Sequence, residues 1–217
     1  MFVGLKMLKD FHTVTPGTLV KDAQKILDAE DLWMLLVKDG DELVGYVRKE
    51  DIMAALPSVM TSLEKHELKY LMSKLTVDKL IRRDIVTVAP EKEIEAAAHE
   101  MWKKRLAGLA VMNHRGRLIG YINRSVMLEV LVEEMGYEQG GSRICIKVDD
   151  RTGVIRDVST VIADMDVSII STGTFFHNGS RLVVIRMATD DPSAVAAALQ
   201  ERGYGLVGPM DFMHEWS

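Results

Sequence analysis

The chain has 217 residues, 47 % of them hydrophobic and 27 % charged, which is the composition of a folded protein of one or two domains and excludes a disordered one. Its net charge of −5 disfavours nonspecific binding to nucleic acid, whose phosphates reward the opposite sign, and its single cysteine, Cys145, cannot close an internal disulfide. No apolar run approaches the roughly 20 residues that span a bilayer, and the first residues lack the pattern of a secretion signal, so a cytoplasmic protein with no membrane or nucleic-acid partner is expected.

From the N-terminus, Phe11 to Thr15 is β-prone, and Pro16 favours a turn directly after it. Val20, Ala23 and Leu27 follow at the three-and-four spacing that stacks side chains on one face of a helix. Leu32 to Val37 and Leu43 to Val47 are short apolar runs split by a polar turn, which predicts two neighbouring strands, and Lys49 to Leu56 predicts a second helix. Residues 58–76 carry a helical apolar stripe that includes Leu63 and Leu75. A linker helix is therefore expected there rather than a loose tether, which would be long for a compact domain.

The same order then returns. Residues 3–37 moved forward by 74 positions fall on residues 77–111 without a gap: Val3 on Val77, Asp10 on Asp84, Pro16 on Pro90, Ala23 on Ala97 and Val37 on Val111. Gly45-Tyr46 recurs 75 positions on as Gly120-Tyr121, so one residue is inserted near Asn113 to Gly116, where a turn is expected. The copies span 1–57 and 77–137. Two copies are too few for a solenoid, so each is expected to bury its apolar face against the other.

Glu138-Gln139-Gly140-Gly141-Ser142 reads as a hinge, residues 138–142. Beyond it Ile144, Ile146 and Val148 mark a half-buried strand, and Val154, Val158, Val161 and Ile162 a helix. Val167 to Phe176 and Leu182 to Met187 are β-rich around a His177-Asn178-Gly179-Ser180 turn. Asp191-Pro192 predicts a helix cap and a first-turn proline, and a last strand is expected over 204–207. Strand, helix, strand, strand, helix, strand is a split βαβ arrangement over 143–217, and the whole chain is α+β.

Two stretches resemble known families. Gly45-Tyr46-Val47-Arg48-Lys49-Glu50-Asp51, within the repeat and its element order, resembles the signature of a CBS domain, and two such domains in tandem form a Bateman module. Asp150-Arg151-Thr152-Gly153-Val154, with Val167-Ser168-Ile169-Ile170, resembles an ACT domain of ferredoxin-like βαββαβ fold. Two CBS domains followed by one ACT domain is the arrangement of the AcuB family, named for acetoin utilisation, which implies a regulator rather than an enzyme.

The first resemblance implies an adenine nucleotide (AMP, ADP or ATP) or a related adenosyl ligand. Asp51 would accept hydrogen bonds from the ribose hydroxyls, the base would lie against Val14 and Tyr46, and phosphates would fall to basic side chains. Arg48 stands where the family carries Thr or Ser, and either binds a phosphate or fills the nucleotide's space. In the second copy Asn123 and Val126 replace Arg48 and Asp51, so at most one standard site per chain is expected. The second resemblance implies a small effector, commonly an amino acid, at Thr152, Gly153, Val154 and Ser168, together with a homodimer.

No set of reactive side chains stands out. The six histidines are scattered without metal-ligand spacing, no required cofactor or metal is expected, and Cys145 is expected in the core as a packing thiol. The leading expectation is a non-catalytic nucleotide sensor. A scaffold with vestigial sites and an enzyme with unfamiliar residues remain as alternatives.

Overall fold

The computed structural model describes residues 1–56, 70, 73–149 and 151–216. The linker helix expected over 58–76 lies outside the described residues except at 70 and 73–76, and so does Asp150. The chain divides into two compact units, Met1–Leu128 and Glu129–Ser217.

In the first unit each copy builds a three-stranded sheet. β1 (Thr13–Val14), β2 (Met34–Asp39) and β3 (Glu42–Arg48) form one, with β1 parallel and β3 antiparallel to β2. β4 (Thr87–Val88), β5 (Gly108–Met112) and β6 (Leu118–Asn123) repeat it. The helices are α1 (Val3–Lys6), α2 (Val20–Ala29), α3 (Lys49–Ala55), α4 (Ile94–Lys104) and α5 (Arg124–Glu134). The predicted helical faces are the buried ones: Val20, Ala23 and Leu27 are fully buried, and Ile94, Ala97 and Met101 nearly so. Both first helices are followed by a left-handed residue at the same place in the repeat, Asp31 (φ 48°) and Arg105 (φ 55°).

The first sheet separates two apolar clusters because successive strand residues point to opposite faces. Leu35, Val37 and Val47 join Val14, Val20, Leu27 and Ile52 in a core behind the first sheet. Met34, Leu36 and Tyr46 face the other way and meet Ala110 and Tyr121 of the second copy. This shared layer is the face-to-face packing that the repeat predicts. Fully burying side chains of this size is worth about 1.5–3 kcal/mol each, so separating the copies would expose a large term.

The copies also exchange their leading residues, which the sequence did not reveal. Val77 inserts into the first copy's core, and its N–H donates to the Thr18 carbonyl at 2.8 Å. Its counterpart Val3 is fully buried and donates to the Lys92 carbonyl at 2.9 Å. Further on, Arg82 pairs with Tyr46 of β3 through hydrogen bonds of 2.8 and 3.0 Å, and Leu8 pairs with Tyr121 of β6 at the same two lengths. Gly45 permits the first pairing. Its φ is +153°, and a Cβ there would strike the Arg82 carbonyl oxygen.

The second unit begins within α5, ahead of the glycine-rich stretch expected as the hinge. The end of α5 is held by unit-two side chains: Ser171 Oγ and Arg186 Nε donate to the Met135 carbonyl at 2.8 and 3.2 Å. β7 (Ser142–Val148), α6 (Val154–Asp164), β8 (Ile169–His177), β9 (Ser180–Met187), α7 (Ser193–Glu201) and β10 (Gly205–Leu206) follow in the predicted order. They form an antiparallel sheet ordered β10-β7-β9-β8. Ile144, Ile146, Val183 and Ile185 of the sheet pack with Val158, Ile162, Val195 and Leu199 of both helices.

Three local expectations are corrected. Cys145 shares its face with Arg143 and Lys147, since a strand repeats every two residues, and it is half-buried rather than in the core. Asp191 does accept a hydrogen bond from the Ser193 N–H at 2.9 Å, but Pro192 precedes the first helical residue instead of occupying the first turn. A 3₁₀ helix, Pro209–Glu215, follows the last strand, where no element was expected.

Candidate ligand site

β3 ends at Arg48 and α3 opens at Lys49, which places Asp51 on the first turn of that helix. A carboxylate there is favoured by the exposed N–H groups of the helix start. Asp51 is not free. Arg82 Nε donates to Oδ2 at 2.7 Å and Nη2 to Oδ1 at 2.9 Å, while Arg48 makes the same two contacts at 3.1 and 3.3 Å. Both oxygens are thus held by two forked guanidinium groups, the geometry that suits arginine to carboxylates. The hydrogen bonds from Arg82, joined by those from Arg48, hold the Asp51 carboxyl well below the usual carboxylate range.

Tyr46 lies close by on β3, 4 % exposed, with Arg82 paired to its backbone. Burial raises its phenol pKa, and Asp84, a side-chain hydrogen-bond partner and a negative charge, raises it further. Val14 is separated from this group. It pairs with Val37 and packs in the core behind the sheet, whereas Tyr46 pairs with Leu36 on the face toward the second copy. One base cannot lie against both side chains. In the second copy the counterpart of Arg48, Asn123, accepts a hydrogen bond from the Val126 N–H at 3.0 Å and so caps α5.

Arg82 and Asp84 are the site residues that reading the chain missed. The repeat held the signal: they stand 74 positions after Leu8 and Asp10, in the lead-in segments that the copies exchange.

In the second unit Thr152, Gly153 and Val154 come together at the start of α6, where Gly153 adopts φ 92°. They line an open depression with Arg151, Arg156 and Arg181. Ser168 is not with them. It precedes β8, whose Ile169 pairs with Met187, while Arg181 pairs with Val148 at the far end of the sheet. Six residues of strand separate those levels, about 20 Å.

Burial raises the Cys145 thiol pKa, which disfavours the reactive thiolate. Among the described residues no group of three His, Cys, Asp or Glu side chains could hold a metal ion, and no helix is long and apolar enough to cross a membrane.

Comparison with known proteins agrees with the duplicated architecture. The family model described as "CBS domain" matches residues 3–58 and again 77–133, together just over half of the chain. A CBS domain-containing protein of Dictyostelium discoideum is 27 % identical over 128 residues, 58 % of this chain and 88 % of that one. A homoserine O-acetyltransferase of Methanohalobium evestigatum is 28 % identical over 134 residues, 61 % of this chain but only 24 % of its own length. The crystal structure of a Vibrio cholerae protein named AcuB, for acetoin utilization, superposes with a TM-score of 0.53 at 21 % identity. It covers 65 % of this chain and 98 % of that one, a likeness of fold.

Proposed function

We propose that this chain, which belongs to the CBS domain family and carries the domain twice, is a non-catalytic regulatory protein that senses an adenine nucleotide or a related adenosyl compound in its repeat unit. The observation that carries the reading is the Asp51 cluster: an ionised carboxylate on a helix start, held by two guanidinium groups beside Tyr46. In the bound state Asp51 would exchange the Arg82 fork for the two ribose hydroxyls, and the released guanidinium would take a phosphate. Arg82 belongs to the lead-in of the second copy, so the exchange would loosen a tie between the copies. Such a ligand biases an arrangement only to the extent that it binds one more tightly than the other. The match to the acetyltransferase covers a quarter of that enzyme and supports no transfer chemistry here.

For the second unit, the βαββαβ order and the glycine at the start of α6 support an ACT-like module that takes an amino acid or another small carboxylate near Thr152, Gly153 and Val154. A homodimer and an AcuB-like role in acetoin utilisation complete the proposal.

Calorimetric titration of AMP, ADP and ATP into the full chain tests the first site. Saturation at one nucleotide or fewer per chain is expected, with binding abolished in Asp51→Ala. Two equal sites that survive the substitution would contradict it. A second reading, a dimeric scaffold with vestigial sites, is favoured by the occupation of both Asp51 oxygens. A thermal-shift screen with nucleotides, S-adenosylmethionine and amino acids that moves nothing would select it.

A further inference from the structure

The second unit gathers its positive charge at one end. Residues 129–217 hold 14 aspartates and glutamates but only 7 lysines and arginines. Five of those seven, Lys147, Arg151, Arg156, Arg181 and Arg202, line two adjoining cavities beyond the end of β7. One is the open depression at Gly153. The other, of about 300 Å³, is bounded by Lys147 to Asp149, by Arg151 and Val154, and by the turn from Arg202 to Gly205 that joins α7 to β10. In a unit with twice as many acidic as basic side chains, such a concentration makes this end attract anions where the remaining surface repels them.

The turn builds the second cavity. Gly205 opens β10 and pairs with Lys147, which fixes residues 202–204 beside the end of β7. Gly203 adopts φ 83°, and a Cβ added at Gly203 or Gly205 would meet nothing within 4 Å, so the turn leaves the space unfilled. Tyr204 orients the arginine across from it. Its hydroxyl oxygen accepts from Arg151 Nη2 at 3.0 Å, and Asp157 Oδ2 accepts from Nη1 and Nη2 at 3.3 Å. The other two cations are held less firmly. Arg202 Nη2 lies 3.8 Å from Asp164 Oδ2, too far for a hydrogen bond, and among the described residues the Lys147 ammonium makes no ion pair or hydrogen bond. Val148, Val154 and Tyr204 line the same cavity and give it apolar surface.

We propose that this cavity binds a short-chain dicarboxylate. Its two carboxylates pair with cations on different walls, Lys147 on the sheet and Arg151 in the loop after it, with Arg202 at the turn, and its carbon chain lies on Val148, Val154 and the Tyr204 ring. A forked guanidinium suits a carboxylate. Three cations against one lining carboxylate among the described residues, Asp149, favour two negative charges over one. The volume stands at the lower end of small-molecule sites, roughly 300–1,000 Å³, which restricts the chain to a few carbons. An α-amino acid would bring an ammonium among the same cations, so the ligand class differs from the amino acid proposed at Gly153, and neither site requires the other.

The probe is succinate, with butyrate as the control that keeps the carbon chain and loses one carboxylate, followed by calorimetry and by ligand-observed NMR on the full chain at low ionic strength. Succinate is expected to bind at one per chain and butyrate at least fivefold more weakly. Lys147→Gln and Arg151→Gln should each weaken succinate at least threefold. Arg156→Gln, which touches only the depression at Gly153, should leave succinate binding unchanged. All three side chains are exposed, so the variants keep the fold. Alanine titrated into the same variants reports separately on the effector reading at Gly153. Succinate no tighter than butyrate, succinate weakened by Arg156→Gln and not by Lys147→Gln, or no succinate binding at all would overturn the proposal.

Discussion

The Asp51 clamp makes a prediction whose size and pH dependence both follow from its geometry. A hydrogen bond to a charged partner is worth about 1.5–3 kcal/mol, but the Arg82 and Arg48 side chains are 39 % and 34 % exposed. Solvent screening reduces the expected coupling of Asp51 with Arg82 to about 1–2 kcal/mol, still above the range of freely exposed pairs. The longer contacts of Arg48 predict a smaller coupling with Asp51. Folding lowers the Asp51 pKa, so its contribution is fully present above the unfolded carboxyl value near 3.8 and disappears as pH falls below it, where the unfolded chain takes up the proton first. Urea unfolding of wild type, Asp51→Asn, Arg82→Ala and the double variant, at pH 7 and at pH 3, measures both effects. The gap between wild type and Asp51→Asn should be largest at pH 7 and shrink at pH 3. A coupling energy below about 0.3 kcal/mol at pH 7, or a gap that does not change with pH, would refute the clamp as a stabilising element.

Gly45→Ala should cost about 1–3 kcal/mol in the same unfolding assay, because its positive φ and the Arg82 carbonyl both oppose a side chain. Gly17→Ala, with nothing within 4 Å of an added Cβ, is the matched control and should be near neutral; equal effects would show that the close approach is immaterial. Cys145 should react with a disulfide reagent about tenfold more slowly in the folded chain than in urea at pH 8, since burial raises its pKa. Equal rates would place the thiol in open solvent.

Much of the site's surroundings could be read from the chain, because the signals are local or repeated. The shift by 74 positions located both copies, and the spacing of Val20, Ala23 and Leu27 identified a buried helical face before any coordinates. Asp51 was found through the residues around it. Its partners were not, because Arg82 lies 31 residues away and reaches Asp51 only through a lead-in segment paired with β3. Val14 shows the opposite failure. It is close to Tyr46 in the sheet, yet strand alternation turns its side chain to the other face.

What the sequence determined alone was the order of elements, the duplication, the inward faces and the identity of one helix-start carboxylate. These depend on periodicities of two and 3.6 residues and on a direct comparison of one stretch with another. Tertiary structure decided which copy each lead-in segment completes and that two arginines converge on Asp51. Those outcomes depend on contacts between segments far apart in the chain, such as that of Arg82 with Asp51, 31 residues away.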